Sequence, residues 1–194
     1  MKTTKLDYPL SEAEVRELQI GDTVYFNGVV YITRDLGHRR MVEHIEQGKE
    51  LPVNLEGAAI YHAGPVTNKK NDKWEIVNCG PTSSARMNSY SPTIIKAGVR
   101  VLIGKGNMDD ATLRAMKIHG AVFLAAYSLA NIQAQHFEEV LNVHWLDLSP
   151  TEAVWVIRVK DWGPLTVAMD SHGNNLYSKI TERAQERFKE LRFS

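Results

Sequence analysis

One cysteine, Cys79, stands among 194 residues, so the chain makes no internal disulfide and no multi-cysteine metal or iron–sulfur cage of its own. Neither charge is in excess: 23 Lys and Arg are set against 23 Asp and Glu. No global field therefore draws the protein to nucleic acid or to an anionic membrane, and a basic site has to be local. There is no apolar run of about 18 residues, and the N-terminal stretch MKTTKLDYPLSEAEV lacks the apolar core of a signal peptide. The expected location is the cytoplasm. The seven histidines form no HExxH and no dense cluster with carboxylates, which leaves zinc or non-haem iron without a ligand set inside this chain. Repeats of solenoid length and low-complexity linkers are missing too.

What is present reads as one layered α/β domain over residues 1–194, mixing strands and helices. DTVYFNGVVYIT flanks Asn27-Gly28 with β-branched and aromatic residues, the pattern of a type I′ hairpin. RDLGHRRMVEHIEQGKE leaves the strand at Arg34-Asp35 and spaces Met41, Val42 and Ile45 on one helical face that stops near Gly48. GAAIYHAGPV and KWEIVNCGPTSSARM are strands that run into Gly-Pro turns. SPTIIKAG carries a short helix with Pro92 in its first turn, VRVLIGKG is a strand, and NMDDATLRAMKIHG is a helix capped by Asn or Asp and ended by Gly120. AVFLAAYS is a strand and LANIQAQHF a short helix. AVWVIRVKDW and PLTVAMD read as two strands parted by Gly163-Pro164, and SKITERAQERFKELRF is an exposed amphipathic helix.

Three stretches suit anion chemistry. In NCGPTSSARM, Gly80-Pro81 forces a sharp turn after a strand, and the N–H groups beyond it converge with the hydroxyls of Thr82, Ser83 and Ser84. Arg86 adds a planar fork for a carboxylate or phosphate. The bland alternative is a hydrogen-bonded turn with Arg86 in solvent. In IGKGN, Lys105 lies between two glycines where a strand meets a helix start, although the spacing fits neither a Walker loop nor GxGxxG. In TRDLGHRR, Asp35 is placed to orient Arg34 or His38, with one arginine facing an acidic ligand, while Arg39 and Arg40 read as solvated charge. DSHGNNLY, with Asp170, His172, Gly173 and Asn175, is a fourth candidate that an Asx-rich turn explains without function. His62, His144 and His172 are expected to serve structural hydrogen bonds.

RDLGHRR, IYHAGPV, GPTSSARM, GKGNM and MDSHGNNLY occur in the order and approximate spacing found in the β subunits of two-subunit class I fumarate hydratases and L-tartrate dehydratases. The chain resembles that family over nearly its whole length. The resemblance implies a swivelling β/β/α domain and an iron–sulfur hydro-lyase acting on a four-carbon dicarboxylic acid, fumarate/malate first and tartrate next. It implies a [4Fe-4S] cluster on three cysteines of an α subunit, since Cys79 alone cannot hold one, and an α2β2 assembly, with self-association of the isolated β chain as an alternative. Carried over residue by residue, the substrate-carboxylate arginines of the family fall on Arg34 and Arg86. Its threonine near the reacting carbon falls on Thr82, with a suggested role in proton transfer, and the lysine of its GKG motif on Lys105. Ser83 replaces a threonine and keeps the hydroxyl on the substrate side. The 125–137 segment, AAYSLANIQAQHF, departs from the glycine- and alanine-rich stretch usual in the family. From a different class, a non-catalytic domain that binds an anion or metabolite would use the same arginines and Gly-Pro turns.

Overall fold

A computed structural model describes residues 1–127 and 129–192. Three short strands, β3 (Ala59–His62), β6 (Val101–Gly104) and β7 (Val122–Ala125), are buried on both faces, as parallel strands covered on two sides must be. They lie in register beside the longer β2 (Thr23–Thr33), which also pairs in parallel with β1 (Thr3–Asp7). A 16-residue strand, β9 (Val154–Met169), runs antiparallel to β7, to β2 and to the outer strand β8 (Phe137–His144). Because β9 pairs with both β7 and β2, the strands β2, β3, β6, β7 and β9 close into a ring.

Side-chain alternation then sorts the core into two halves. Tyr61, Val101, Ile103, Val122, Leu124, Trp155 and Trp162 belong to one apolar cluster, within the ring. Their neighbours Ile60, Leu102, Phe123 and Val154 belong to a second. That second layer takes Met41 from α2 (Asp35–Glu46), Ile94 and Ile95 from α3 (Ser91–Lys96), and Ala115 and Met116 from α4 (Asp110–His119). Local signals start these helices: Pro92 occupies the first turn of α3, and the Asp109 side chain accepts from Thr112 N–H to cap α4. α5 (Ala130–Ala134) packs near the two-stranded hairpin of β4 (Val66–Lys70) and β5 (Lys73–Asn78). α6 (Leu176–Arg192) follows β9; Tyr177 packs on the second cluster, and the helix is exposed from Ser178 to Leu191. A single turn of helix, α1 (Glu12–Arg16), precedes β2 behind a Ser11–Glu14 capping box. Among the described residues no helix is long and apolar enough to cross a membrane.

The mixed α/β layering agrees with the sequence, but two local expectations are corrected. Asn27-Gly28 does not turn the chain. β2 runs straight through it as an 11-residue strand, with Gly28 at φ +99° where the β2–β9 register slips. Asn27 accepts from Asp161 N–H across that irregularity at 2.6 Å, so long-range pairing with β9 turns a hairpin signal into a bulge. Gly163-Pro164 likewise interrupts nothing: Trp162 pairs with Phe26 and Leu165 with Val24 on either side of it, in one strand. Proline removes a single donor, and at a bulge the ladder does not need it. Strands β1, β4 and β8 carry too little apolar alternation to be read beforehand; the β8 stretch FEEVLNVH is half exposed.

Candidate functional site

The parallel strands β2, β3 and β6 finish side by side. Thr33 pairs with His62, and Tyr61 with Ile103, so Thr33, His62 and Gly104 end the strands at one level and Arg34 and Lys105 follow directly. The crevice outside the carboxyl ends of such strands is where open α/β sheets bind ligands. The GPTSS turn closes over it from the side: Ala63 bridges to Pro81 and Ser83 to Lys105. Thr82 N–H donates to the His62 carbonyl at 2.7 Å, and Ser84 N–H to the Lys105 carbonyl at 3.0 Å. A Cβ on Gly104 would sit 2.0 Å from Ser84 Oγ, so only glycine lets the turn lie this close to β6.

Five expected site residues, Arg34, Thr82, Ser83, Arg86 and Lys105, are thus gathered on one rim. The arginines come from different elements, Arg34 from the N-cap of α2 and Arg86 from a 3₁₀ turn over Ser84–Met87. Asp35 joins them. Its carboxylate takes Arg86 Nε at 2.8 Å and Arg86 Nη2 at 2.6 Å, and lies 3.5 Å from Arg34 Nε. Glu152 completes the group with Oε1 2.7 Å from Arg34 Nε, while its other oxygen accepts from Leu36 N–H at 2.8 Å. Neither terminal nitrogen of Arg34 donates a hydrogen bond to a described residue, and Lys105 forms no ion pair among them. The Arg86 side chain is 48% exposed and Lys105 is exposed, while Arg34 is half-buried with its Nε out of solvent.

Behind the rim are two fully buried histidines. His38 Nδ1 hydrogen-bonds the Arg34 carbonyl at 2.9 Å, and His62 Nδ1 hydrogen-bonds Ser84 Oγ at 2.9 Å. A carbonyl only accepts, so His38 carries its proton on Nδ1. The rings meet edge to face with centroids 5.0 Å apart, and neither Nε2 has a partner. Burial pushes His38 down to about 4 against the smaller upward pull of the Arg34 carbonyl and Asp35. Burial, and then His38 itself, holds His62 well below the usual histidine range. Both rings are neutral near pH 7 and brace the backbone on which Arg34 and Ser84 stand.

The Fumarase C-terminus family model matches residues 1–180. The chain belongs to that family. It is 41% identical over 185 residues to a protein of Methanocaldococcus jannaschii provisionally named L(+)-tartrate dehydratase subunit beta, covering 94% of this chain and 95% of that one. It is 38% identical over 186 residues to the L(+)-tartrate dehydratase subunit beta of Escherichia coli K12, covering 94% and 90%. A Geobacillus stearothermophilus protein provisionally named fumarate hydratase class I is 42% identical over 195 residues, which span 97% of this chain but 37% of that longer protein.

For a Fumarase C-terminus chain, the fit of an iron–sulfur cluster is decided by its donors. Cys79 is fully buried with its carbonyl bonded by the Tyr61 hydroxyl at 3.0 Å, and burial pushes its thiol far up. Among the described residues no group of three His, Cys, Asp or Glu is placed to hold a metal. These residues do not fit a cluster. Arg39 pairs with Glu43 in solvent as expected, but Arg40, 28% exposed, forks onto Asp147 and lies over the Trp145 ring, where the sequence suggested solvated charge. Asp170 is a structural knot: it is buried and accepts from the N–H groups of Ile20, His172 and Asn174 at 3.1, 3.0 and 2.9 Å. His172 bonds the Arg16 carbonyl, as a structural histidine would. In the 125–137 segment, Ala130 closes on Gly80 and its carbonyl accepts from Cys79 N–H at 3.2 Å, while Trp162 donates to Gln133; Ser128 lies outside the described residues. Glu152 was invisible in the sequence, since SPTEAV has no pattern that ties an acid to an arginine 118 positions earlier, a separation set wholly by the fold.

Proposed function

We propose that this chain is the β subunit of a hydro-lyase that adds or removes water across a four-carbon dicarboxylic acid, malate/fumarate or tartrate/oxaloacetate. One observation carries the reading: Arg34 and Arg86, from separate elements, meet through Asp35 at the ends of β2, β3 and β6, beside Thr82, Ser83 and Lys105. Two guanidinium groups with terminal nitrogens to spare are suited to a ligand with two carboxylates, and holding both ends fixes which carbon faces the reacting groups. Thr82 is the hydroxyl nearest the proton to be moved on this reading. An alcohol ionises far above neutral pH, so Thr82 acts only with help from Lys105, from the N–H groups of the turn or from a partner's carboxylate. Ser83 supplies a further hydroxyl to the substrate.

The reading assigns the [4Fe-4S] cluster, with its Lewis-acid chemistry, to a partner α subunit, because this chain offers one buried thiol. Names of the full-length relatives as "subunit beta" support the need for a partner, and the longer Geobacillus protein supports a counterpart for the remainder. Residues 1–194 act as one domain in a cytoplasmic α2β2 enzyme. Mixing the chain anaerobically with its α subunit and assaying fumarate and L-tartrate tests this. Activity requiring both chains, with iron only on α, is expected. Turnover by the lone chain would refute it, and tight dicarboxylate binding that needs no partner and leads to no chemistry would favour a binding domain.

A further inference from the structure

The arginines are held in an unusual way. Arg86 is gripped along its Nε edge by Asp35, 2.8 Å from Nε and 2.6 Å from Nη2, while Arg34 Nε lies in ion-pair contact with Glu152 at 2.7 Å and Asp35 at 3.5 Å without a hydrogen bond to either. Held along that edge, Arg86 keeps Nη1 for a ligand and Arg34 keeps both terminal nitrogens, and each planar group then has one orientation. Among the described residues, Asp35 is the single carboxylate in ion-pair contact with both guanidinium groups. Without it, two cations on one rim would repel each other and swing on long side chains. Glu152 is anchored on its own account: it caps the first turn of α2 through Leu36 N–H, its side chain is only 10% exposed, and its carbonyl accepts from Thr33 Oγ1 at 3.1 Å. The grip on Arg34 is thus fixed to the end of β2 itself.

We propose that Asp35, backed by Glu152, is the positioning residue that sets the spacing and direction of the two arginines and so makes the site select ligands with two carboxylates over ligands with one. This rests on the reading of Arg34 and Arg86 as the substrate clamp. Asp35 touches neither substrate nor reacting atoms; it acts through the arginines. Preorganised donors bind a matching pair of carboxylates without the cost of ordering them, whereas a monocarboxylate uses one arm and gains little from the spacing.

The test uses the reconstituted two-subunit enzyme and a pair of unreactive inhibitors, succinate with two carboxylates and butyrate with one. The quantity read is the ratio of their inhibition constants. Asp35→Asn, which keeps size but not charge, should reduce succinate's advantage about tenfold or more, raise KM by a similar factor, and lower kcat much less. A merely structural role would change expression or melting temperature and leave that ratio alone. Glu152→Gln keeps an oxygen to cap Leu36 N–H while losing the charge beside Arg34, and should reduce the ratio about threefold; it carries the test if Asp35→Asn does not fold. Arg86→Ala separates the two levels. If Arg86→Ala abolishes the selectivity and neither carboxylate variant alters it, the clamp stands and the positioning role is overturned. An unaltered ratio in Arg86→Ala removes the clamp itself. Tighter succinate binding by Asp35→Asn would also overturn the proposal, because the carboxylate would then be a competitor for the arginines.

Discussion

Two polar stretches at strand ends look alike in sequence and behave differently in the fold. RDLGHRR follows β2, and DSHGNNLY follows β9; each offers an aspartate, a histidine and a glycine. At Asp170 the carboxylate is consumed: both oxygens accept from backbone or Asn174 N–H, and Asn175 starts α6 by accepting from Tyr177 N–H at 2.9 Å, although the buried Ser171 Oγ beside it lacks a partner among the described residues. At Arg34 and Asp35 the polar groups are not. Arg34 Nε and Asp35 Oδ2 are buried without a hydrogen bond to a described residue, and two buried histidines keep an unpaired Nε2. Natural folds pair their buried polar groups, so a cluster left incomplete marks where something else is to bind. The comparison teaches that satisfaction, more than residue type, separates a knot from a site.

It can be sharpened by stability measurements. The largest effect is expected at the knot. Asp170→Ala strips acceptors from several buried N–H groups and should cost about 3–5 kcal/mol of unfolding free energy in urea titration, with turnover of the folded enzyme retained. Next come the histidines. Both remain neutral in the fold while the unfolded chain takes up protons below its ordinary value near 6.5. Their contribution is complete above that value and is lost as the pH falls toward about 4, where His38 finally charges in the fold. From His38 alone the loss is on the order of 3 kcal/mol. Unfolding curves at pH 7 and pH 4.5 should show it, and His38→Asn should flatten the slope. Gly104→Ala forces a methyl onto Ser84 Oγ and should cost roughly 1–3 kcal/mol, with lost activity because the turn bearing Thr82 and Ser83 is displaced. Smallest of all is Arg86→Ala: a half-exposed ion pair on the rim should change stability by less than about 0.5 kcal/mol.

How much of this could be read in advance follows the same division. Helices α2, α3 and α4 announced themselves through Pro92, Asp109 and the apolar spacing around Met41, because those signals act within a turn or two of chain. Arg34, Thr82, Ser83, Arg86 and Lys105 were legible as residue types suited to an anion, and the resemblance supplied their order. Their convergence was not legible, for it depends on β2, β3 and β6 ending at one level. Asn27-Gly28 and Gly163-Pro164 misled for a related reason: each is a strong local turn signal, and each is overruled by the same β2–β9 pairing. Asp35 was marked as an orienting acid with two possible targets. The fold gives it Arg34 and adds Arg86, 51 positions away, while His38 turns to a backbone carbonyl.

The central claim is that this chain brings the carboxylate clamp and its partner brings the rest of the chemistry. Its most direct test is the activity of reconstituted enzyme carrying Arg34→Gln and Arg86→Gln, singly, with assembly checked by size exclusion. The account predicts an intact complex whose kcat/KM falls by about 10²-fold or more in each variant, the scale on which single charged donors act in enzyme sites. Complexes that assemble and turn over within twofold of the parent would contradict it.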